Sequence, residues 1–201
     1  MGKHPYGDVA AEVVRIIDWE SLDVPRGHGA APAFRGLAKR LCFDSTPDLS
    51  NLYSAFTRLC IYGYLDRAAA AAIVLRGVPY PTPMVQFSYI ASCVTSACCF
   101  SERAGNQAAA DQLRELALNW PGTPWRPQPR AVDGSMLRHV FQAAGTDANL
   151  RVGQALNDVS MLTLMWVYGS PNPDWTKDRI GATIDANIAG IHSLKKWQPW
   201  Q

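Results

Sequence analysis

The chain has 201 residues, 48% of them hydrophobic and 18% charged, with a formal net charge of +2. A chain of this length can bury a core of its own, so stability does not require disulfides or a bound metal. The composition is too apolar for a disordered protein. Lys and Arg are scattered instead of clustered, which argues against nucleic acid as a ligand. The low share of charged residues indicates that a partner covers some apolar surface.

The cysteine content points to a reducing compartment. The number of cysteines is odd, and their spacing matches no zinc motif: Cys42, Cys60, Cys93, Cys98 and Cys99. Four of the five lie in apolar, helix-like runs, where a thiol packs as a small hydrophobic group. The first residues show neither a secretory signal nor a myristoylation motif. We therefore expect a cytoplasmic protein without a membrane span.

Apolar residues recur at helical spacing from the start of the chain. Asp8 is expected to cap a first helix, and a short amphipathic helix is predicted over 33–41. The next predicted helix starts near residue 48 and ends at Gly63, which can adopt the left-handed conformation of a helix stop. An alanine run at 68–72 predicts another helix, which ends near residue 77.

Residues 77–101 contain no charged side chain and are numerous enough to raise the question of a membrane span. Prolines interrupt the first third of this stretch, and the remainder carries Gln, Ser and Thr side chains. The pattern therefore predicts a buried central helix over about 84–103, followed by a helix over about 106–119.

The tract WPGTPWRPQPR at 120–130 contains four prolines, which excludes regular helix. Helices are predicted beyond it at about 134–144, 147–168 and 174–196, and no segment shows the alternation of a strand. The expected fold is all-α: an antiparallel helix-hairpin bundle or a short α-solenoid-like array of about seven to eight helices. We expect a single domain over 1–201, with helical halves at about 8–119 and 133–197 joined by the proline tract.

Two segments of the chain echo each other. SAFTRLCIYG at 54–63 returns as SMLTLMWVYG at 160–169, with Ser, Thr, Tyr and Gly at the same offsets. One interpretation is duplication of a helix pair. The other is shared helix termination, in which Gly stops each helix and Tyr packs beside it. In neither interpretation is the Tyr-Gly pair an active site.

The last predicted helix carries an ordered set of acids, which we call the acidic stripe: Asp174, Asp178 and Asp185. At about 100° per residue they lie on one side of a helix, together with His192. Asp178 and Asp185 are about 10 Å apart along the axis, too far for one metal ion. The stripe is either a solvated face or the rim of a site for a basic partner. Asp174 is also a candidate N-cap.

A second set of residues suggests a different use. Ser88, Ser92 and Ser96, the serine stripe, lie on one side of the central helix with Thr95 and Cys99. Such a stripe allows close helix packing, or lines a polar pocket. His28 lies in the segment RGHGAAP, which is either a linker or a ligand loop.

Trp125 and Trp197 lie in irregular segments, where an indole ring either docks on the protein or contacts a partner.

The segments LYSAFTRLCIYGYLDRAAAAAIVL, LRHVFQ and LTLMWVYGSPNPDWTKDRIGATIDANIAGIHSL resemble bacterial helical proteins of uncharacterised function. Some families of this kind are immunity proteins, which neutralise a toxin encoded by a neighbouring gene. The likeness is a pattern of helix ends and small residues between positions 52 and 194, and it transfers no functional residue. It implies a cytoplasmic, non-catalytic binding protein.

The leading hypothesis is a non-catalytic cytoplasmic protein that binds another protein, such as an immunity protein or toxin inhibitor. Its expected contacts are the acidic stripe, Trp125 and Trp197, without cofactor or metal. The alternative is a small-molecule-binding protein or enzyme, with a pocket between helices lined by the serine stripe and His28. A third hypothesis is a scaffold that acts by oligomerising.

Overall fold

The computed structural model describes residues 7–18, 21–22, 50–76, 84–119 and 148–193, which contain only α-helices as regular structure apart from a single 3₁₀ position. The seven helices are α1 (Gly7–Ile17), α2 (Ser50–Ile61), α3 (Leu65–Arg76), α4 (Met84–Arg103), α5 (Gln107–Leu118), α6 (Ala148–Tyr168) and α7 (Lys177–Ser193). The predicted all-α helical fold is confirmed. The helices predicted at 33–41 and 134–144 and the tract at 120–130 lie outside the described residues.

Helix α4 lies at the centre of the bundle. It packs against α2, α3, α5 and α6, and every residue from 90 to 101 is buried. A helix surrounded in this way has no solvent-facing side on which a charged group could stay hydrated. This explains the absence of charged residues from positions 90–101. The predicted buried central helix is confirmed.

Three connections between consecutive helices lie within the described residues, and each contains a glycine. Gly63, Gly105 and Gly169 follow α2, α4 and α6 with φ of +84°, +81° and +81°. At the end of α2, Gly63 N donates a hydrogen bond to Cys60 O at 3.1 Å, and Tyr64 N donates one to Leu59 O at 3.0 Å. This pair of bonds is the Schellman arrangement, which needs a left-handed residue. The predicted glycine stop at residue 63 is therefore confirmed.

Helix α1 is fastened to α3 by one guanidinium group. Arg67 Nη1 donates to Ile17 O at 2.9 Å and to Ser21 Oγ at 2.7 Å. The last carbonyls of a helix lack partners within the helix, so a cation placed there satisfies them and complements the helix dipole. Val13 and Ile17 lie fully buried on the same helix. The contact fixes the end of α1 on the bundle.

Helix α7 starts later than the sequence suggested. Thr176 Oγ1 accepts a hydrogen bond from Arg179 N at 3.3 Å, so Thr176 is the N-cap. The prediction of Asp174 as N-cap is wrong. Asp174 N donates instead to Asn172 Oδ1 at 2.9 Å, and the following Trp175 is buried with 8% exposure. The turn and the buried ring hold Asp174 outside the helix.

The three glycines at positions 63, 169 and 181 allow a matched test of the turns. Gly63→Ala and Gly169→Ala should each lower the free energy of unfolding by about 1 kcal/mol, because a Cβ disfavours positive φ. Gly181→Ala lies inside α7, where the new Cβ would meet Trp166 at an ordinary 3.4 Å. It should raise stability by up to about 1 kcal/mol through helix propensity. Denaturant titration measures the free energy of unfolding of all three variants. Equal changes in the three would contradict the left-handed conformation of Gly63 and Gly169.

Candidate functional site

A cluster of buried hydroxyl groups joins α2, α4 and α6. The hydroxyl cluster consists of Thr57, Thr95, Ser96 and Thr163, each with 0% exposure. Ser96 Oγ lies 3.1 Å from Thr163 Oγ1 and 3.4 Å from Thr57 Oγ1. Thr163 Oγ1 also donates to Ser160 O at 2.7 Å. Hydroxyls buried without partners would be destabilising, and here they satisfy one another.

This cluster contains part of the serine stripe. Ser96 is one of its members, and Ser92 is 5% exposed, with its carbonyl oxygen accepting from Thr95 Oγ1 at 3.3 Å. The side chain of Ser88 lies outside the described residues, as does His28. The hydroxyl–hydroxyl contacts fit the interpretation as close helix packing. The pocket lined by these serines stays a prediction.

The two echoed segments, 54–63 and 160–169, both contact α4. Thr57 and Thr163 hold the same offset in the two segments, and both hydroxyls meet Ser96. The two tyrosines differ: Tyr168 OH donates to Ala117 O at 3.0 Å, whereas the Tyr62 ring lies 5.6 Å from the ring of His192. The tyrosines therefore serve as packing residues, and both interpretations of the echo stay open.

The thiols of α2 and α4 are sealed in the core. Cys60, Cys93, Cys98 and Cys99 are free and buried. Burial raises the pKa of each thiol, to about 11 for Cys98, whose Sγ donates to Ala110 O at 3.3 Å. A thiol must ionise and be reached in order to act as a nucleophile. These four cysteines are packing residues.

Thiol labelling measures directly whether these cysteines are accessible to solvent. In a Cys42→Ser variant, the four remaining thiols should not react with Ellman's reagent at pH 8 while the protein is folded. All four should react after denaturation. A control variant that also carries Ala108→Cys, at an exposed position of α5, should show one fast-reacting thiol. Fast labelling of any native core cysteine would contradict the buried placement.

The end of α4 organises a second polar cluster. The Glu102 cluster consists of Glu102, Arg103, Arg114, Trp166, Lys177 and Asp185. The Glu102 carboxylate accepts from Lys177 Nζ at 2.8 Å, from Trp166 Nε1 at 2.7 Å and from Arg114. One side chain thus ties α4 to α5, to α6 and to the first residue of α7.

Electrostatics keep the Glu102 carboxylate ionised. Burial raises its pKa, but the hydrogen bonds from Lys177 and Trp166 and the positive charge of Arg114 lower the pKa by more, so it lies below its ordinary value. Lys177 Nζ also lies 4.9 Å from the centre of the Trp166 ring, a cation–π distance. A carboxylate whose pKa is lowered and that accepts from three donors is suited to holding helices together and is a poor proton acceptor at neutral pH.

Sequence analysis did not single out the Glu102 cluster. Its members lie on four helices, and Glu102 and Lys177 are 75 positions apart. Helical periodicity reports which side of a helix is buried, but not which distant residue it meets. One signal was available, because Glu102 and Arg103 are the first charged residues after the uncharged run in α4.

The acidic stripe lies at the surface, with its members at different kinds of position. Asp174 is in the turn before α7, Asp178 is in the first turn of α7, and Asp185 lies two turns further; all three are exposed. Asp185 Oδ1 accepts from Arg103 Nη2 at 2.6 Å and belongs to the Glu102 cluster. Asp174 and Asp178 form no ion pair with another described residue.

Two further predicted contacts, Trp125 and Trp197, lie outside the described residues. Within the ranges that are described, no group of three His, Cys, Asp or Glu side chains could hold a metal ion. None of the helices in those ranges has the length and apolar character needed to cross a lipid bilayer.

Comparison with known proteins adds no relative. No protein-family model, no curated protein and no solved structure matches the chain.

Replacing Glu102 should loosen four helices together. Glu102→Gln removes the charge that Lys177 and Arg114 face, and we expect it to lower stability by about 1–2 kcal/mol. The folded-state pKa is depressed, so this stabilisation is complete above the unfolded-state pKa of about 4.3 and is lost as pH falls through the folded-state value. The difference between wild type and variant should therefore shrink in acid.

Denaturant titrations at several pH values measure the effect of Glu102→Gln. Tryptophan fluorescence is a second probe, because Glu102 accepts from the indole nitrogen of Trp166, one of the seven tryptophans. Glu12→Gln is the control: it removes an exposed pair with Arg15 within α1 and should hardly change stability. Equal effects of the two variants would show that the Glu102 cluster contributes no more than a surface ion pair.

Proposed function

We propose that the chain is a non-catalytic protein that binds another protein through the exposed side of α7. The observation that supports this proposal is that one side of the helix is buried and the opposite side is exposed. Ile180 and Ile184 are buried, with 2% and 0% exposure, while Asp178 and Asp185 on the opposite side are exposed. The Glu102 cluster holds this helix in place through Lys177 and Asp185. A rigidly held helix loses little entropy on binding.

The state of the reactive side chains supports a binding role. The four described thiols are sealed in the core, and the hydroxyl cluster is internally paired. Glu102 is occupied by three donors. Each of these groups serves packing or helix contacts.

The charge of the acidic stripe suggests the chemistry of the partner. Asp174 and Asp178 are exposed without an ion pair to a described residue, so a basic surface would complement them. Rim charges of this kind mainly steer encounter and select partners. The resemblance to bacterial immunity proteins suggests a toxin as partner class. In this proposal, the stripe contacts a basic patch of that toxin.

Charge reversal tests this proposal with a matched control. Partners are captured from native lysate by cross-linking, and affinity for the purified partner is then measured by calorimetry. The stripe variant carries Asp174→Lys and Asp178→Lys, and it keeps Asp185 because that residue pairs with Arg103. The control carries the same charge change at exposed acids of α3 and α5: Asp66→Lys and Asp111→Lys.

We expect the stripe variant to bind at least about tenfold more weakly than wild type, and the control to bind within about threefold of it. Circular dichroism must show that both variants are folded. Equal affinities of the two variants would remove the acidic stripe from the binding site.

A further inference from the structure

We draw no further inference here: the strongest candidate, the surface patch with the exposed apolar side chains of Ile73 on α3 and Leu118 at the end of α5, carries none because nothing in the structure shows what covers it.

Discussion

The burial of α4 over residues 90–101 is the constraint on which the rest of the structure depends. Four helices surround it, so a polar group on its sides can be satisfied only by a partner inside the protein. Ser101 Oγ is buried without such a partner among the described residues. Ser96 finds that partner in threonines from two different helices, α2 and α6. A hydroxyl that bonds to both neighbours fixes their rotation and height against α4. The hydroxyl cluster therefore specifies how the helices are aligned, which purely apolar packing leaves less well defined.

The same constraint explains where the charges are. Burial excludes charge from residues 90–101 of α4, and Glu102 and Arg103 then reach the edge of the bundle. There the desolvation of Glu102 is only partial, and Lys177, Arg114 and the Trp166 indole offset it. Adjacent residues of opposite sign then bind opposite charges on one helix, Lys177 and Asp185 of α7. The position of α7 thus follows from the place where α4 leaves the core.

What the sequence could predict is what local chemistry determines. Helical spacing and the uncharged run located α4, and Gly63 located the end of α2, because both signals act within a few residues. The start of α7 was misplaced, since Asp174 and Thr176 are both good caps and the choice depends on the burial of Trp175. The Glu102 cluster could not be read from periodicity, because its contacts join residues of four helices that are distant in sequence.

The two sides of α7 differ in the kind of side chain that they carry. The inner side has large apolar residues, Ile180 and Ile184, whose burial stabilises the helix on the bundle whatever lies outside. The outer side adds fewer contacts to the bundle, chiefly Asp185 with Arg103 and His192 with Tyr62. It carries alanine and short acids at regular steps, where long flexible side chains would be the ordinary choice for solubility. Short side chains leave the backbone of α7 accessible to another helix. A helix of another protein could pack closely there, which is why we propose this side for contact with a partner.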